Sequence, residues 1–265
     1  MYTKAVLYPY NLQSSSAANL AGALHAVRVC VNGTYRHRRG HLVINWGNSH
    51  IPTWGTPRAY EAMLNKPQQV AIASDKVRTF QRLTHLFPDD LPMWSCSRED
   101  AEGWLTRPIY GNKLNAVVCR TLTRANSGRG IILARTPAEL VNAPLYTRYK
   151  PKRDEYRIHV SSRYGIIDSV RKLRRTGANG TDGFDPYIRS HNHGWIFARD
   201  NLVVPAAVAQ AAERTIHVLG LDFGAVDIGY HPDFGLSIYE VNTAPGLEGT
   251  TLANYIAMFQ RCLYE

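Results

Sequence analysis

The stretch from Phe223 to Gly249, FGAVDIGYHPDFGLSIYEVNTAPGLEG, restricts the fold more than any other part of the chain. Two apolar runs, FGAVDIGY and LSIYEVN, flank a His-Pro-Asp-Phe-Gly break, which reads as an antiparallel hairpin. Pairing His231 with Leu236 leaves Pro232 to Gly235 as a four-residue connection, a common hairpin length. In that register Asp227 lies opposite Glu240, with Cβ atoms about 5 Å apart. Side chains alternate along a strand, so Asn242 joins Glu240 on the same face. Two carboxylates and an amide oxygen are hard ligands suited to Mg²⁺. The plainer alternative is that one acid pairs with a nearby arginine, because two facing acids are costly when buried. The pattern by itself leaves both readings open.

The rest of the chain supplies a mixed α/β (α+β) setting. Ser16 to His25 reads as a helix entered by a serine cap, with VRVCVN and HLVINWG as strands around the basic loop TYRHRRGH. These form a small α/β unit within the first seventy residues. INWGNS offers either a ligand-facing loop or a buried tryptophan before an ordinary turn, and the second is favoured. SDKVRTFQRLTHLF is a helix capped by Ser74 with Lys76 in its first turn, and LPMWSCSREDAEGWL is a short strand and a short helix. AVVCRTLT and IILA make a hairpin whose loop holds Ser127, Gly128 and Gly130. Glycines leave backbone N–H groups open to a phosphate, although most such loops are simply turns. LYTRY, EYRIHVSS and GIIDSVRKLRR read as successive strands, and Gly177 to Asp185 as a loop. VVPAAVAQAAERTIHVLGL is an amphipathic helix, and Leu252, Ile256, Phe259 and Leu263 recur at helical spacing in a last one.

The chain has 265 residues, enough for one large domain or two to three small ones. Its 45% hydrophobic and 20% charged residues are those of a globular protein, and no apolar run is long enough to span a membrane. MYTKAVLYPYNLQSSS lacks a signal peptide's apolar run. Cys30, Cys96, Cys119 and Cys262 are scattered without CxxC spacing, as buried free thiols of a cytoplasmic protein would be. The net charge is +10. Between Tyr146 and Arg175 stand ten lysines and arginines against Asp154, Glu155 and Asp168. That cluster suits phosphate, nucleic acid or an acidic substrate, or else a solvated sheet edge.

GAVDIGYHPDFGLSIYEVNTAPGLEG resembles the ATP-grasp signature, most closely that of the RimK-type amino-acid ligases, in which GVDI and a short turn precede EVN, two residues and PGLEG. The resemblance extends from about Ser74 to the C terminus. It implies an ATP-grasp fold, with two α+β subdomains gripping ATP after a small α/β N-terminal domain. Residues 1–73 would form that domain and 74–265 the ATP-grasp domain, with about 91–146 carrying the flap. Asp227, Glu240 and Asn242 would hold Mg²⁺ or Mn²⁺. The implied ATP ligands are Lys76, Arg120, the flap residues Ser127, Gly128 and Gly130, the hinge Thr147, Arg148, Tyr149 and Lys150, and Glu155 at the ribose. Arg120 stands where a lysine is usual, and Arg148 where an acid is frequent. Glu155-Tyr-Arg157 matches an acid-x-Arg motif, VRK supplies Arg171, and IRSHNHGW supplies Arg189, Asn192 and His193 near an acceptor.

The implied reaction is an ATP-dependent carboxylate–amine ligation through an acylphosphate, adding an amino acid to a peptide, a protein or a small amino-acid acceptor. Arg171, Arg189 and Asn192 are its expected catalytic residues. ATP, a carboxylate and an amine are the expected partners, an acidic peptide or protein among them, with no membrane involved. Two alternatives compete. One is a basic nucleic-acid-binding protein that stacks bases on Tyr146, Tyr149 and Tyr156. The other is a degenerate ATP-grasp that binds nucleotide without ligating.

Overall fold

A computed structural model describes residues 1–107, 114–124, 128–175 and 184–265. The chain opens with β1 (Lys4–Pro9), α1 (Ser15–Ala23), β2 (Val27–Arg28), β3 (His41–Trp46), α2 (Pro57–Glu61) and β4 (Met63–Leu64). The four strands form a parallel sheet in the order β2-β1-β3-β4. Val6, Leu7 and Tyr8 of β1 are all buried, the continuous apolar pattern of a parallel strand covered on both faces. Ser14 starts α1, its hydroxyl accepting from the Ala17 amide. VRVCVN yields only two strand residues. Beyond Val29 the chain leaves the ladder, because the Cys30 carbonyl takes the Trp54 indole N–H and the Val31 carbonyl takes the Thr53 amide. Trp46 is fully buried, as expected for INWGNS.

Two helices follow, α3 (Pro67–Ala73) and α4 (Lys76–Thr84). The cap of α4 is Asp75 rather than Ser74. The Asp75 carboxylate accepts from the Val77 and Arg78 amides, while Ser74 closes α3. A carboxylate at this position also complements the helix dipole.

The second sheet is antiparallel, in the order β5-β8-β6-β7. Its elements are β5 (Trp94–Ser95), α5 (Arg98–Thr106), β6 (Val117–Arg120), β7 (Ile131–Ala134) and β8 (Leu145–Arg148). Val117, Cys119, Ala134 and Tyr146 pack with Ala101 and Leu105 of α5. Strand alternation turns Val118 and Arg120 to the opposite face. The expected flap residue Ser127 and most of the expected Gly177–Asp185 loop lie outside the described residues.

The third sheet runs β11-β10-β9-β12-β13, all antiparallel. It comprises β9 (Asp154–Ser161), β10 (Gly165–Arg174), β11 (Trp195–Ala198), β12 (Phe223–His231) and β13 (Gly235–Asn242). The helices of this part are α6 (Ala206–Val218) and α7 (Gly249–Tyr264). Val208, Ala211, Ala212 and Ile216 of α6 share one core with Ile158, Val160, Val226 and Ile228. Tyr255, Met258 and Phe259 of α7 share another with Phe223 and with Leu7, Ile44 and Trp46 of the first sheet. The N-terminal unit is thus sealed onto the third sheet by a common core. Asn65 (φ 55°) reinforces this seam. Its side chain accepts from the Asp222 amide at 2.8 Å and donates to the Phe223 carbonyl at 2.9 Å, while its own amide donates to the Asp222 carboxylate.

The closing hairpin corrects one expectation. Asp227 does pair with Glu240, but His231 pairs with Gly235, not Leu236. The connection is therefore Pro232 to Phe234, with Gly235 at φ 73°, where glycine alone is unstrained. A bulge at Tyr239 takes up the one-residue difference.

Candidate active site

A cavity of about 570 Å³ opens between the second and third sheets, with Tyr10, Gln13 and Ser14 of the N-terminal unit at its edge. Asp227, Glu240 and Asn242 all face it, as the strand register predicts. The plainer reading of the acidic pair holds for both acids, because each has its own cation. Asp227 lies beside Arg157 on β9 and receives the Nε and Nη2 of that guanidinium at 2.6 and 2.7 Å. Glu240 meets the Lys76 ammonium at 3.0 Å, delivered from the first turn of α4. Burial alone would raise Glu240, but Lys76 and Arg157 outweigh it and hold the carboxyl below its ordinary value. Arg157 is held above its own by Asp227, against the opposing effect of burial. The Nδ2 of Asn242 is buried without a hydrogen-bond partner.

Arg120 faces the same space from β6. It is 6% exposed, its Nε has no hydrogen-bond partner, and among the described residues no carboxylate pairs with it. Burial pushes its guanidinium below the usual range. On the third sheet, Glu155 is gripped by Lys152 at 2.7 Å and Lys172 at 2.5 Å. Burial favours the neutral acid, yet the two ammonium groups prevail and keep Glu155 at about 2. Lys172 also donates to the Arg189 carbonyl, and Lys152 sits 5.0 Å from the Tyr239 ring centre.

Thr147, Arg148, Tyr149 and Lys150 line the cavity wall. The amides of Arg148 and Tyr149 are engaged by the Met93 and Ala116 carbonyls. Arg148 turns its side chain away, because it lies opposite Val117, whose face is the α5 core. Its guanidinium donates to the Arg107 carbonyl at the end of α5 and to Asn115. Gly128 (φ 76°) approaches Ser190, since a Cβ on Gly128 would stand 3.1 Å from that of Ser190. Gly130 lies in the turn, its carbonyl accepting from the Thr121 amide, and does not line the cavity.

Two expected catalytic residues are not brought to the site either. Arg171 lies opposite Tyr156 on the core-facing side and reaches Asp154 and the Asp200 carbonyl. Its neighbour Lys172 takes the inward position. Asn192 is exposed, and His191 lines the cavity in its place. Arg189 lines the cavity, but both its Nη atoms donate to the carbonyls of Lys152 or Arg153, and it stacks 4.5 Å over Trp195. His193 is held by Ser190 at 2.7 Å. Lys152, Lys172 and Tyr239 are site residues absent from the sequence-based set, and Arg157 entered it only as part of the acid-x-Arg motif, without a role at the site. Alternation from Glu155 puts Arg157, two residues on along the same strand, on the same face.

No family model and no curated protein matches the sequence. Solved structures do match. A RimK-domain ATP-grasp protein from Sphaerobacter thermophilus aligns with a TM-score of 0.58 at 16% identity, over 96% of this chain and 98% of that one. D-alanine–D-alanine ligase from Bacillus anthracis, complexed with ATP, gives 0.62 at 12% identity over 99% and 98%. The macrocyclase MdnC of Microcystis aeruginosa, bound with precursor peptide MdnA, gives 0.62 at 12% over 98% and 100%. The chain has the ATP-grasp fold. The cavity lined by Arg120, Glu240 and Asp227 lies between its second and third sheets.

Proposed function

We propose that this ATP-grasp protein is an ATP- and Mg²⁺-dependent carboxylate–amine ligase that adds an amino acid to a peptide, a protein or a small amino-acid acceptor. The observation that carries this reading is Arg120, a buried guanidinium without a counter-ion that faces two acids and an amide across one cavity. An unpaired buried charge is expensive, so its retention points to an anionic ligand. The phosphates of ATP have the matching charge. ATP complexed to the Bacillus anthracis ligase and a precursor peptide bound to MdnC support the same assignment of substrates.

The donor set fits a hard divalent ion. Among the described residues no three His, Cys, Asp or Glu side chains form a metal cluster, so the set is Asp227, Glu240 and the Asn242 amide. The bidentate Arg157 contact leaves each Asp227 oxygen a second lone pair, and the Asn242 amide would offer its Oδ1. Bound Mg²⁺ or Mn²⁺ would screen phosphate charge.

Arg120, Lys76 and the Gly128 backbone then hold the triphosphate. A substrate carboxylate oxygen attacks the γ-phosphorus as the bond to the β,γ-bridging oxygen breaks, giving an acylphosphate and ADP. Lys172 and Arg157, on the facing strands, steady the carboxylate. An amine attacks the acyl carbon, inorganic phosphate leaves and the amine proton passes to solvent. Gly128, set close to Ser190, shields the acylphosphate from water. Four free thiols suit the reducing cytoplasm we propose as its compartment.

The test is ADP release with pools of amino acids and acidic peptides, followed by mass spectrometry of the products. Amine-dependent ADP release and a condensed product are expected. Nucleotide binding without amine-dependent release would instead mark a nucleotide-binding protein that does not ligate.

A further inference from the structure

The N-terminal unit carries a charge pattern that the cleft does not use. The first sixty residues contain Lys4, Arg28, Arg36, Arg38, Arg39 and Arg58 and not one aspartate or glutamate. All six cations are exposed, and among the described residues none has an ion-pair partner. Elsewhere the arginines and lysines are repeatedly paired, as at Arg157, Lys172 and Arg199.

The loop that bears Arg36, Arg38 and Arg39 is held from beneath. The Tyr35 hydroxyl bonds His41 Nδ1 at 2.8 Å, His37 Nε2 meets the His41 carbonyl at 3.0 Å, and the His41 amide donates to the Arg38 carbonyl. Tyr35 packs edge-on to Trp54 at 4.9 Å. His41 titrates below its ordinary value, first through burial and then through His37, Lys4 and Arg38. A loop backbone held in this way needs less ordering on binding.

We infer that this face docks an acidic, extended polypeptide segment. Charge complementarity defines the sign of the partner, and three further observations favour a peptide. First, β2 is an edge strand, and its Val27 side chain is 46% exposed. Second, the Val29 amide points to Leu7 of β1, so alternation turns the N–H and C=O of Arg28 outward, ready for strand addition. Third, Arg28 Nη1 donates at 2.6 Å to the Leu12 carbonyl, in the loop whose Tyr10 and Gln13 border the cavity. The edge is thus tied to the loop that borders the cleft. A nucleic acid would want exposed aromatic faces among the arginines, but Tyr35 is stacked on His41 and packed on Trp54. This inference stands without the ligase reading, since docking needs no nucleotide.

The test uses the full chain and a fluorescein-labelled peptide of alternating glutamate and valine, about ten residues long, read by anisotropy at about 50 and 200 mM salt. Binding is expected to weaken at least about tenfold in the triple variant Arg36→Glu, Arg38→Glu, Arg39→Glu, and about threefold in Arg28→Glu. Weakening at the higher salt is expected as well. The milder triple Arg→Gln variant should fall between wild type and reversal, which guards against misfolding of the harsher one. Melting shifts with ADP and Mg²⁺ should stay unchanged in all variants, which separates this outcome from failure of the nucleotide reading. Equal peptide affinity in wild type and both triple variants would overturn the inference. So would tighter binding of labelled oligo(dT) than of the peptide, lost in the same variants, which would assign the face to nucleic acid.

Discussion

Arg120 sets function against stability within one side chain. Its guanidinium is buried, unpaired and pushed down by desolvation. Replacing it by methionine, of similar length and without charge, should stabilise the ligand-free protein by about 1–3 kcal/mol. The same change should abolish most of the melting shift produced by ATP with Mg²⁺. Thermal scans with and without ATP check both halves, and a destabilised Arg120→Met that still responds to ATP would remove the phosphate assignment. The two acids should differ in the same spirit. Asp227→Asn leaves Arg157 buried beside a neutral amide and should cost about 3–5 kcal/mol as well as turnover. Glu240 is less enclosed, its side chain 19% exposed, so Glu240→Gln should lose ADP release while keeping most of its stability. Denaturant unfolding beside an ADP assay distinguishes them. A third pair tests which face of β10 matters. Lys172→Met should reduce ligation by more than about a hundredfold, some 2.7 kcal/mol of barrier, whereas Arg171→Met should change it little. The reverse order would return the catalytic role to Arg171.

At the scale of elements, the closing hairpin is held by a bulge and a glycine. A Cβ on Gly229 would stand 2.2 Å from the Tyr239 hydroxyl, closer than any atom pair tolerates. Gly229→Ala should therefore expel Tyr239 from its place beneath Lys152 and destabilise the protein by about 1–3 kcal/mol. Tyr239→Phe in the same chain should recover only part of this loss, because the ring carbon behind the hydroxyl is still 2.7 Å away. Equal stability of Gly229→Ala and wild type in urea would refute the packing argument. The apolar alternation of this hairpin was legible and gave the Asp227–Glu240 pairing. The bulge was not, because Tyr239 is as compatible with regular pairing as with a bulge, and only its contact with Gly229 distinguishes them.

Across the whole molecule, His159 links the third sheet to α7 through Tyr255, at 3.2 Å. Burial, and then Arg157, push its imidazole from the ordinary 6.5 down to about 3. A depressed folded-state value means that the unfolded chain takes up the proton first as pH falls. The contribution of neutral His159 is thus complete above 6.5 and is lost progressively between 6.5 and 3, by up to about 1.4 kcal/mol per pH unit. Glu155, displaced from 4.5 to about 2, adds its own loss within that lower window. Melting temperatures at pH 7, 6 and 5 should fall more steeply in wild type than in His159→Phe, and parallel slopes would show that this histidine does not govern acid stability.

The sequence by itself determined what depends on near neighbours. Apolar alternation, turn residues and the spacing of Asp227, Glu240 and Asn242 specify a hairpin with three oxygen donors on one face, because strand geometry has a period of two. Helix faces and the order of elements follow from equally local rules. Only the tertiary structure decided what depends on partners distant along the chain. Lys76 reaches Glu240 because α4 packs its first turn against β13. The inward position falls to Lys172 and not Arg171 because Tyr156, opposite Arg171, belongs to the core. Arg148 faces α5 because Val117, its partner on β6, does. Single-strand alternation divides residues into two sets. Which set faces the cleft is settled by the cross-strand register and by the burial of the other set in a core.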